Sequence, residues 1–380
     1  MTKKDVDSMD DNRALTYICP ACNAYLRYDG KQDKWCCDYC ESSFTLAELE
    51  QRGAKVKDDD YEVQQDADKA KNESKVEYHY EENVEQGDTD FSEMQGFICP
   101  SCGAEIATDS VTAATFCVFC GNPTVLPKQL SGQYRPSGVI PFKTDKKDAQ
   151  KAFLDFCKGK KLLPKGYTDE QRVEKITGVY VPFWVFDCKA DFDYHATGEN
   201  TTTWSDSDFV YTKHDLYHIH RNGKMDFENI PLDASEKMQD DMMDALEPFL
   251  FADKRTFNMS YLSGFLAEKY SYEPKELYDR MTKRITEGVE NKAGENIPYD
   301  SVFGVQCHTE FTSDKQEYVM LPVWMLVSKY KGEDYLFAMN GQTGKIVGSL
   351  PCSSGRTVFH FVIAFIIFFI IAFVIGGVFL

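Results

Sequence analysis

Phe361-Val-Ile-Ala-Phe-Ile-Ile-Phe-Phe-Ile-Ile-Ala-Phe-Val-Ile-Gly-Gly-Val-Phe-Leu380 runs for twenty residues without a charge or a side-chain amide or hydroxyl. As a helix rising 1.5 Å per residue it is roughly 30 Å long, the thickness of a hydrocarbon core. A helix satisfies its own backbone polar groups, so this stretch can lie in lipid where an irregular segment cannot. The alternative is a buried core helix, and such helices are shorter and carry a polar stripe. The expectation is one membrane span over residues 357–380. No apolar N-terminal run competes with it: Met1 to Arg13 is polar and acidic. The chain therefore reads as tail-anchored, without a signal peptide. Arg356 precedes the span and no charge follows it. By the positive-inside rule this predicts a single pass through the cell membrane with the N-terminal part cytoplasmic.

The 380 residues leave room for two or three domains, and a hydrophobic content of 43% suffices for a core. A net charge of -19 argues against wrapping a polyanion, because phosphate binding draws its affinity from Lys and Arg. Nucleic acid is thereby disfavoured as a partner. Of thirteen cysteines, eight have metal-ligand spacing and five do not: Cys36, Cys157, Cys188, Cys307 and Cys352. That usage suits a reducing compartment better than a disulfide framework.

Cys19-Pro-Ala-Cys22 and Cys37-Asp-Tyr-Cys40 enclose fourteen residues, among them Asp29-Gly30, a strong hairpin signal between short strand-like runs. The hairpin would bring two cysteine knuckles together as a tetrahedral thiolate site for structural Zn²⁺, in a unit too small to fold without metal. Cys99-Pro-Ser-Cys102 and Cys117-Val-Phe-Cys120 repeat the arrangement, each position displaced by eighty. This is an internal duplication. Gly103 and Gly121 follow the second cysteine of each knuckle in the second ribbon, where a left-handed residue is commonly needed. Asn23 and Glu41 stand there in the first, and Glu tolerates that conformation poorly, so a looser first site is expected. Cys36 is a candidate substitute ligand. Disulfides and Fe²⁺ are the competing readings of both sets. A closed four-cysteine site has no open coordination position, so a structural or protein-binding role is expected rather than catalysis. Residues 51–95, between the ribbons, hold fourteen acidic and six basic residues and read as a flexible acidic linker.

Residues 137–353 have the composition of a globular α+β domain. Val139 to Phe142 reads as a strand, Asp145 to Lys158 as a helix, and Gly178 to Asp187 as a buried strand. Alternation from Ala190 to Phe227 predicts two or three more strands. Helices are expected over Asp233 to Glu247, where Asp233 and Glu236 make a capping box, over Phe257 to Tyr270 and over Pro274 to Val289. A meander follows over Val302 to Phe311, Glu317 to Tyr330, Asp334 to Met339 and Lys345 to Val347, with turns at Lys331-Gly332 and Asn340-Gly341. Tyr180-Val-Pro182-Phe-Trp184 and Met320-Leu-Pro322-Val-Trp324 echo each other, as equivalent strands of a pseudo-symmetric sheet would, each Pro at an edge or strand start.

Catalytic signatures are missing. His195, His214, His218 and His220 cluster in sequence, but nothing in the sequence fixes a third ligand beside His218 and His220. Gly341-Gln-Thr-Gly344-Lys345 lacks the spacing and the Ser or Thr of a phosphate loop. No G-x-S-x-G or H-E-x-x-H motif occurs.

The second ribbon with C-V-F-C-G-N, then V-I-P-F-K, G-V-Y-V-P-F-W-V-F-D, N-I-P-L-D-A-S, L-P-V-W-M-L and M-N-G-Q-T-G-K-I-V-G ahead of an apolar tail resemble the TFIIB-type zinc-ribbon-containing membrane proteins of Gram-positive bacteria. The resemblance covers nearly the whole chain, and the extra N-terminal ribbon departs from it. It implies partners among membrane-stress proteins of the SPFH and phage-shock kinds.

The expected architecture is a first ribbon at 14–50, a linker at 51–95, a second ribbon at 96–127, an α+β domain rich in antiparallel strands with a helical insert at 137–353, and the span. The metal ligands expected for two Zn²⁺ are Cys19, Cys22, Cys37 and Cys40, with Cys99, Cys102, Cys117 and Cys120. The function expected is a non-enzymatic, membrane-anchored cytoplasmic scaffold that binds the lipid bilayer and other proteins, with no small-molecule substrate. A membrane-tethered nucleic-acid-binding regulator is the alternative.

Overall fold

The computed structural model describes residues 16–51, 95–99, 105–108, 110–117, 123–126, 130 and 135–378. The N-terminal acidic stretch and nearly all of the expected acidic linker lie outside the described residues. The chain divides into two compact units: Met1–Gln133 with Met259–Ala267, and Tyr134–Asn258 with Glu268–Leu380.

In the first unit, β1 (Leu26–Asp29) and β2 (Lys34–Cys37) form the hairpin that Asp29-Gly30 predicts, paired from Leu26↔Cys37 to Asp29↔Lys34. β3 (Ser43–Phe44) adds to β2. A capping box starts α1 (Leu46–Gln51): Thr45 N–H donates to Glu48 Oε2 at 2.7 Å and Glu48 N–H donates to Thr45 Oγ1 at 3.3 Å. Two further antiparallel pairs are β4 (Gln95–Ile98) with β5 (Glu105–Thr108), and β6 (Thr112–Phe116) with β7 (Pro123–Val125).

The hairpin does not stand alone. Tyr28 and Trp35 pack on Tyr261 with ring centroids 5.1 and 5.2 Å away. Trp35 Nε1–H donates to the Ser260 carbonyl at 2.9 Å, and Ser263 Oγ–H to the Leu26 carbonyl at 2.7 Å. The helix expected over 257–270 is therefore replaced by a 3-10 turn at Met259–Leu262 and a short strand at Leu266–Glu268. Gly264 has φ +91°, and a Cβ there would lie 2.2 Å from Arg27 Cγ. The apolar residues of this stretch look helical by spacing, yet they serve as the lid of the hairpin; tertiary packing overrides local periodicity.

The second unit opens with β8 (Gly138–Val139), α2 (Lys146–Cys157) and α3 (Glu170–Val173). Its frame is three very long strands. β9 (Thr177–Ser205) and β10 (Val210–Asp233) form one antiparallel hairpin; α4 (Asp240–Ala245) and β11 (Arg255–Thr256) follow, β12 (Leu266–Glu268) spans the point where the chain passes from the first unit back to the second, and then come α5 (Tyr278–Ala293) and β13 (Ser301–Tyr330), which pairs antiparallel with β9. β8 joins β13 in parallel, β14 (Glu333–Asn340) antiparallel, and β15 (Ile346–Gly348) pairs with β14, so the sheet is mixed. Runs expected as separate strands, Gly178 to Phe227 and Val302 to Tyr330, merge into two continuous strands and one hairpin partner. Bulges at Phe303/Gln306 and Ser313/Lys315 absorb the irregularities that read as breaks in the sequence.

The echoing motifs lie side by side at the sheet centre, paired through Leu321↔Val181 and Pro322↔Tyr180. Both prolines are mid-strand, not at an edge or strand start as the sequence suggested. Each sits one residue past the end of a neighbouring ladder: β10 stops at Asp233↔Phe183, and β14 at Val323↔Asn340. The Pro182 and Pro322 carbonyls accept from the Ala234 and Gly341 N–H groups on those sides, where the ladder asks no donor of the ring nitrogen. The two Trp side chains are anchored in the core through Nε1–H bonds to the Tyr272 carbonyl (2.9 Å) and to Thr144 Oγ1 (3.0 Å).

Asp233 does not cap a helix; only Asp240–Ala245 of the expected 233–247 helix forms. Asp233 is buried at the end of β10 and receives Arg280 Nη1–H at 2.8 Å, while Arg280 Nη2 reaches Asp244 at 2.5 Å. Burial pushes the Asp233 carboxyl up to about 6, against the pull of the Arg280 hydrogen bond and charge. Arg280→Ala strands a buried carboxylate, and urea unfolding of the detergent-solubilised chain is expected to show a loss of about 3–5 kcal/mol at pH 8. Without Arg280 the folded-state pKa of Asp233 rises further. The lone carboxyl then takes up its proton above pH 6, so the penalty shrinks as the pH falls from that higher value toward 6; an equal penalty at pH 5 and pH 8 would contradict this.

α6 (Ser354–Val378) closes the chain and is long and apolar enough to cross a membrane. It starts at 354 because the Ser353 carbonyl accepts from Thr357 N–H, and the base is tied to its own unit by Ser353 N–H to the Leu162 carbonyl (2.8 Å) and Arg356 Nη1–H to the Leu163 carbonyl (2.5 Å). Its large side chains from Val358 to Ile371 are exposed.

Candidate metal centre

Two knuckles of the same construction carry Cys19, Cys22, Cys37 and Cys40. Cys19 N–H donates to the Ala24 carbonyl and Asn23 N–H to the Cys19 carbonyl; Cys37 N–H donates to the Ser42 carbonyl and Glu41 N–H to the Cys37 carbonyl. Each loop closes only with a left-handed residue after its second cysteine, and Asn23 (φ 61°) and Glu41 (φ 59°) both adopt it. Glu41 bears that strain without loosening the site: the four Sγ atoms all lie within 4.8 Å of one another.

Cys19 Sγ and Cys40 Sγ are 3.6 Å apart, and Cys22 Sγ and Cys37 Sγ 3.5 Å. A tetrahedron with metal–sulfur bonds of about 2.3 Å has edges of roughly 3.8 Å, so the cage fits one zinc-sized ion with little adjustment. Ala21 N–H points at Cys19 Sγ from 3.4 Å and offsets part of the thiolate charge. Cys36 is excluded as a ligand by strand alternation: it pairs with Arg27 and faces away from its neighbour Cys37.

The thiols titrate unequally. Contact with the Ser42 hydroxyl, then the Ser42 backbone, holds the Cys40 thiol down at about 6. The Ala24 backbone lowers Cys22, but burial and bonds to Cys40, Cys37 and Cys19 outweigh it and push this thiol up to about 12. Burial also raises Cys19. Cys19 and Cys22 thus hold their protons until a cation replaces them.

Of the second set, Cys99 and Cys117 are buried against each other, where β4 and β6 end. Cys102 and Cys120 lie outside the described residues. Among the described residues, four thiols converge at one place, in the first ribbon. The histidines separate: His214 Nδ1 turns to Glu199, while His195, His218 and His220 stack. The sequence reveals His218 and His220 on one face but hides Asp193 beside them, because only the β9–β10 register sets His220 opposite His195.

No protein-family model matches the chain, and no solved structure matches it. The uncharacterized protein YdjG of Bacillus subtilis (strain 168) is 32% identical over 313 residues, spanning 69% of this chain and 92% of the relative. A similarity this long, which takes in almost the whole of the relative, reflects common descent, and the chain belongs to the family of YdjG.

Proposed function

We propose that this chain is a non-enzymatic scaffold held in the cell membrane by α6, with its N-terminal part in the cytoplasm and thiolate-bound Zn²⁺ shaping ribbons for protein docking. The observation that carries the reading is α6 itself: its apolar side chains from Val358 to Ile371 find no cover in their own chain. An apolar surface of that extent is tolerated in lipid rather than in water. Arg356 at the base of the helix supports the cytoplasmic side, and thiolate ligands need a reducing compartment. The resemblance to TFIIB-type zinc-ribbon membrane proteins supports a second Zn²⁺ at Cys99, Cys102, Cys117 and Cys120.

The first ribbon has its Tyr28 and Trp35 face covered by residues 259–267. The second ribbon is therefore the docking element in this reading, for membrane-stress proteins of the SPFH or phage-shock kind. Affinity purification from detergent extract tests it. C99S/C102S is expected to lose partners that the intact chain recovers, and recovery of the same partners by both would remove the second ribbon from the scheme.

A further inference from the structure

We propose that Asp193, His195 and His220 form a separate site for a divalent first-row transition ion on the face of the β9–β10 ladder opposite α5. The three ligand atoms lie within 4.8 Å of one another. His220 stands directly opposite His195 in the ladder, and Asp193 precedes His195 by two residues on the same face. Three donors thus come from two bonded strands without any loop.

The side chains already converge on one point. Asp193 Oδ1 is 2.6 Å from His220 Nε2, and Oδ2 is 3.3 Å from His195 Nε2. The two imidazoles stack with centroids 4.4 Å apart and planes 7° from parallel, and His218 continues the stack at 5.4 Å. Both rings present the same nitrogen to the same carboxylate. A cation between them would replace a hydrogen-bonded carboxylate bridge with metal bonds of about 2.0–2.1 Å to nitrogen and oxygen. Tetrahedral donors at that length are roughly 3.3 Å apart, so the rings need only tilt toward each other.

The scaffold beneath is rigid. Tyr194, Ala196 and Ile219 alternate with the ligands and are buried on the other face with Ala293 of α5. On the far side of β9, β13 carries a bulge between Phe303 and Gln306, and the pairing resumes with Gln306 opposite His195. Gly304 turns that bulge at φ +65°. Bulges are over-represented where a strand must re-aim side chains beside a functional site.

The donor set states which cation fits. Two imidazoles and one carboxylate suit Zn²⁺, Ni²⁺ or Cu²⁺, whereas Mg²⁺ and Ca²⁺ take oxygen ligands. The ligand side chains are 51%, 40% and 46% exposed, so the remaining coordination positions face solvent. In that respect the site differs from the closed four-thiol cage, and it stands whether or not the chain is a scaffold.

The test uses the full chain in detergent, loaded with Zn²⁺ and then dialysed against a weak chelator until only the thiolate-held zinc remains. Equilibrium dialysis against Ni²⁺, read by elemental analysis, should show one further Ni²⁺ per chain at micromolar concentration with no loss of zinc. H195Q and H220Q should abolish that equivalent, and D193N should weaken it at least about tenfold. H214Q should leave it unchanged, because His214 is engaged with Glu199. These side chains are exposed, so the metal-free thermal midpoints of the variants should match the parent. Absence of the extra equivalent in the parent, its persistence in H195Q or H220Q, full affinity in D193N, or its loss in H214Q would each overturn the proposal.

Discussion

Cys37→Ser is expected to strip the metal from the N-terminal ribbon and to abolish the slow hydrogen exchange of the hairpin from Ala24 to Cys37. Cys37 is a buried cysteine of the cage at the end of β2, and the Cys22 Sγ lies 3.5 Å from its own. In small thiolate units the bound metal contributes an apparent ~10–16 kcal/mol at neutral pH, more than a short hairpin and one helix can supply from burial. Three thiolates retain the ion far less tightly than four, and the loss passes into the fold. Residues 259–267 oppose this by covering Tyr28 and Trp35. If the hairpin stays protected in a metal-free Cys37→Ser chain, that cover and not the metal holds it. The pH dependence has a fixed sign: metal binding expels thiol protons, so acidification must weaken retention. Zinc should therefore leave the unsubstituted chain on acidification, and retention that does not weaken as the pH falls would contradict this.

The cysteine cage was legible because a four-ligand site writes its spacing into the chain, with Asp29-Gly30 between the knuckles to fold them together. Local signals served equally well for α2, whose Asp145 cap pairs with Asp148, and for α5, where Met281, Ile285 and Val289 are buried along one face. Failures came where a distant partner decides. Asp233 looks like a helix cap until Arg280 claims it, and Phe257 to Tyr270 looks helical until Tyr28 and Trp35 need a lid. Strand length was hidden for a related reason: a bulge at Phe303 or Ser313 interrupts alternation without ending the strand. The Asp193, His195 and His220 cluster depends on register, and register is a property of the assembled sheet.

The second large effect concerns α6. A chain ending at Ser353 is expected to move entirely from the membrane to the soluble fraction. Ten of the eleven residues from Phe361 to Ile371 are large and apolar. At ~1.5–3 kcal/mol for each side chain removed from water, lipid insertion of that half-span alone is favoured by on the order of 20 kcal/mol. No surface contact of the folded units competes with a term of that size. The helix base is set by contacts within its own unit, at Leu162, Leu163 and Ser353, and removing it leaves the mixed sheet and its core complete.

Everything said of location rests on that helix being in lipid, and alkaline carbonate extraction of membranes from cells making the intact chain examines it directly. The intact chain should remain in the pellet after extraction and enter solution only with detergent, while the chain ending at Ser353 is washed out. Release of the intact chain by carbonate alone would contradict the account.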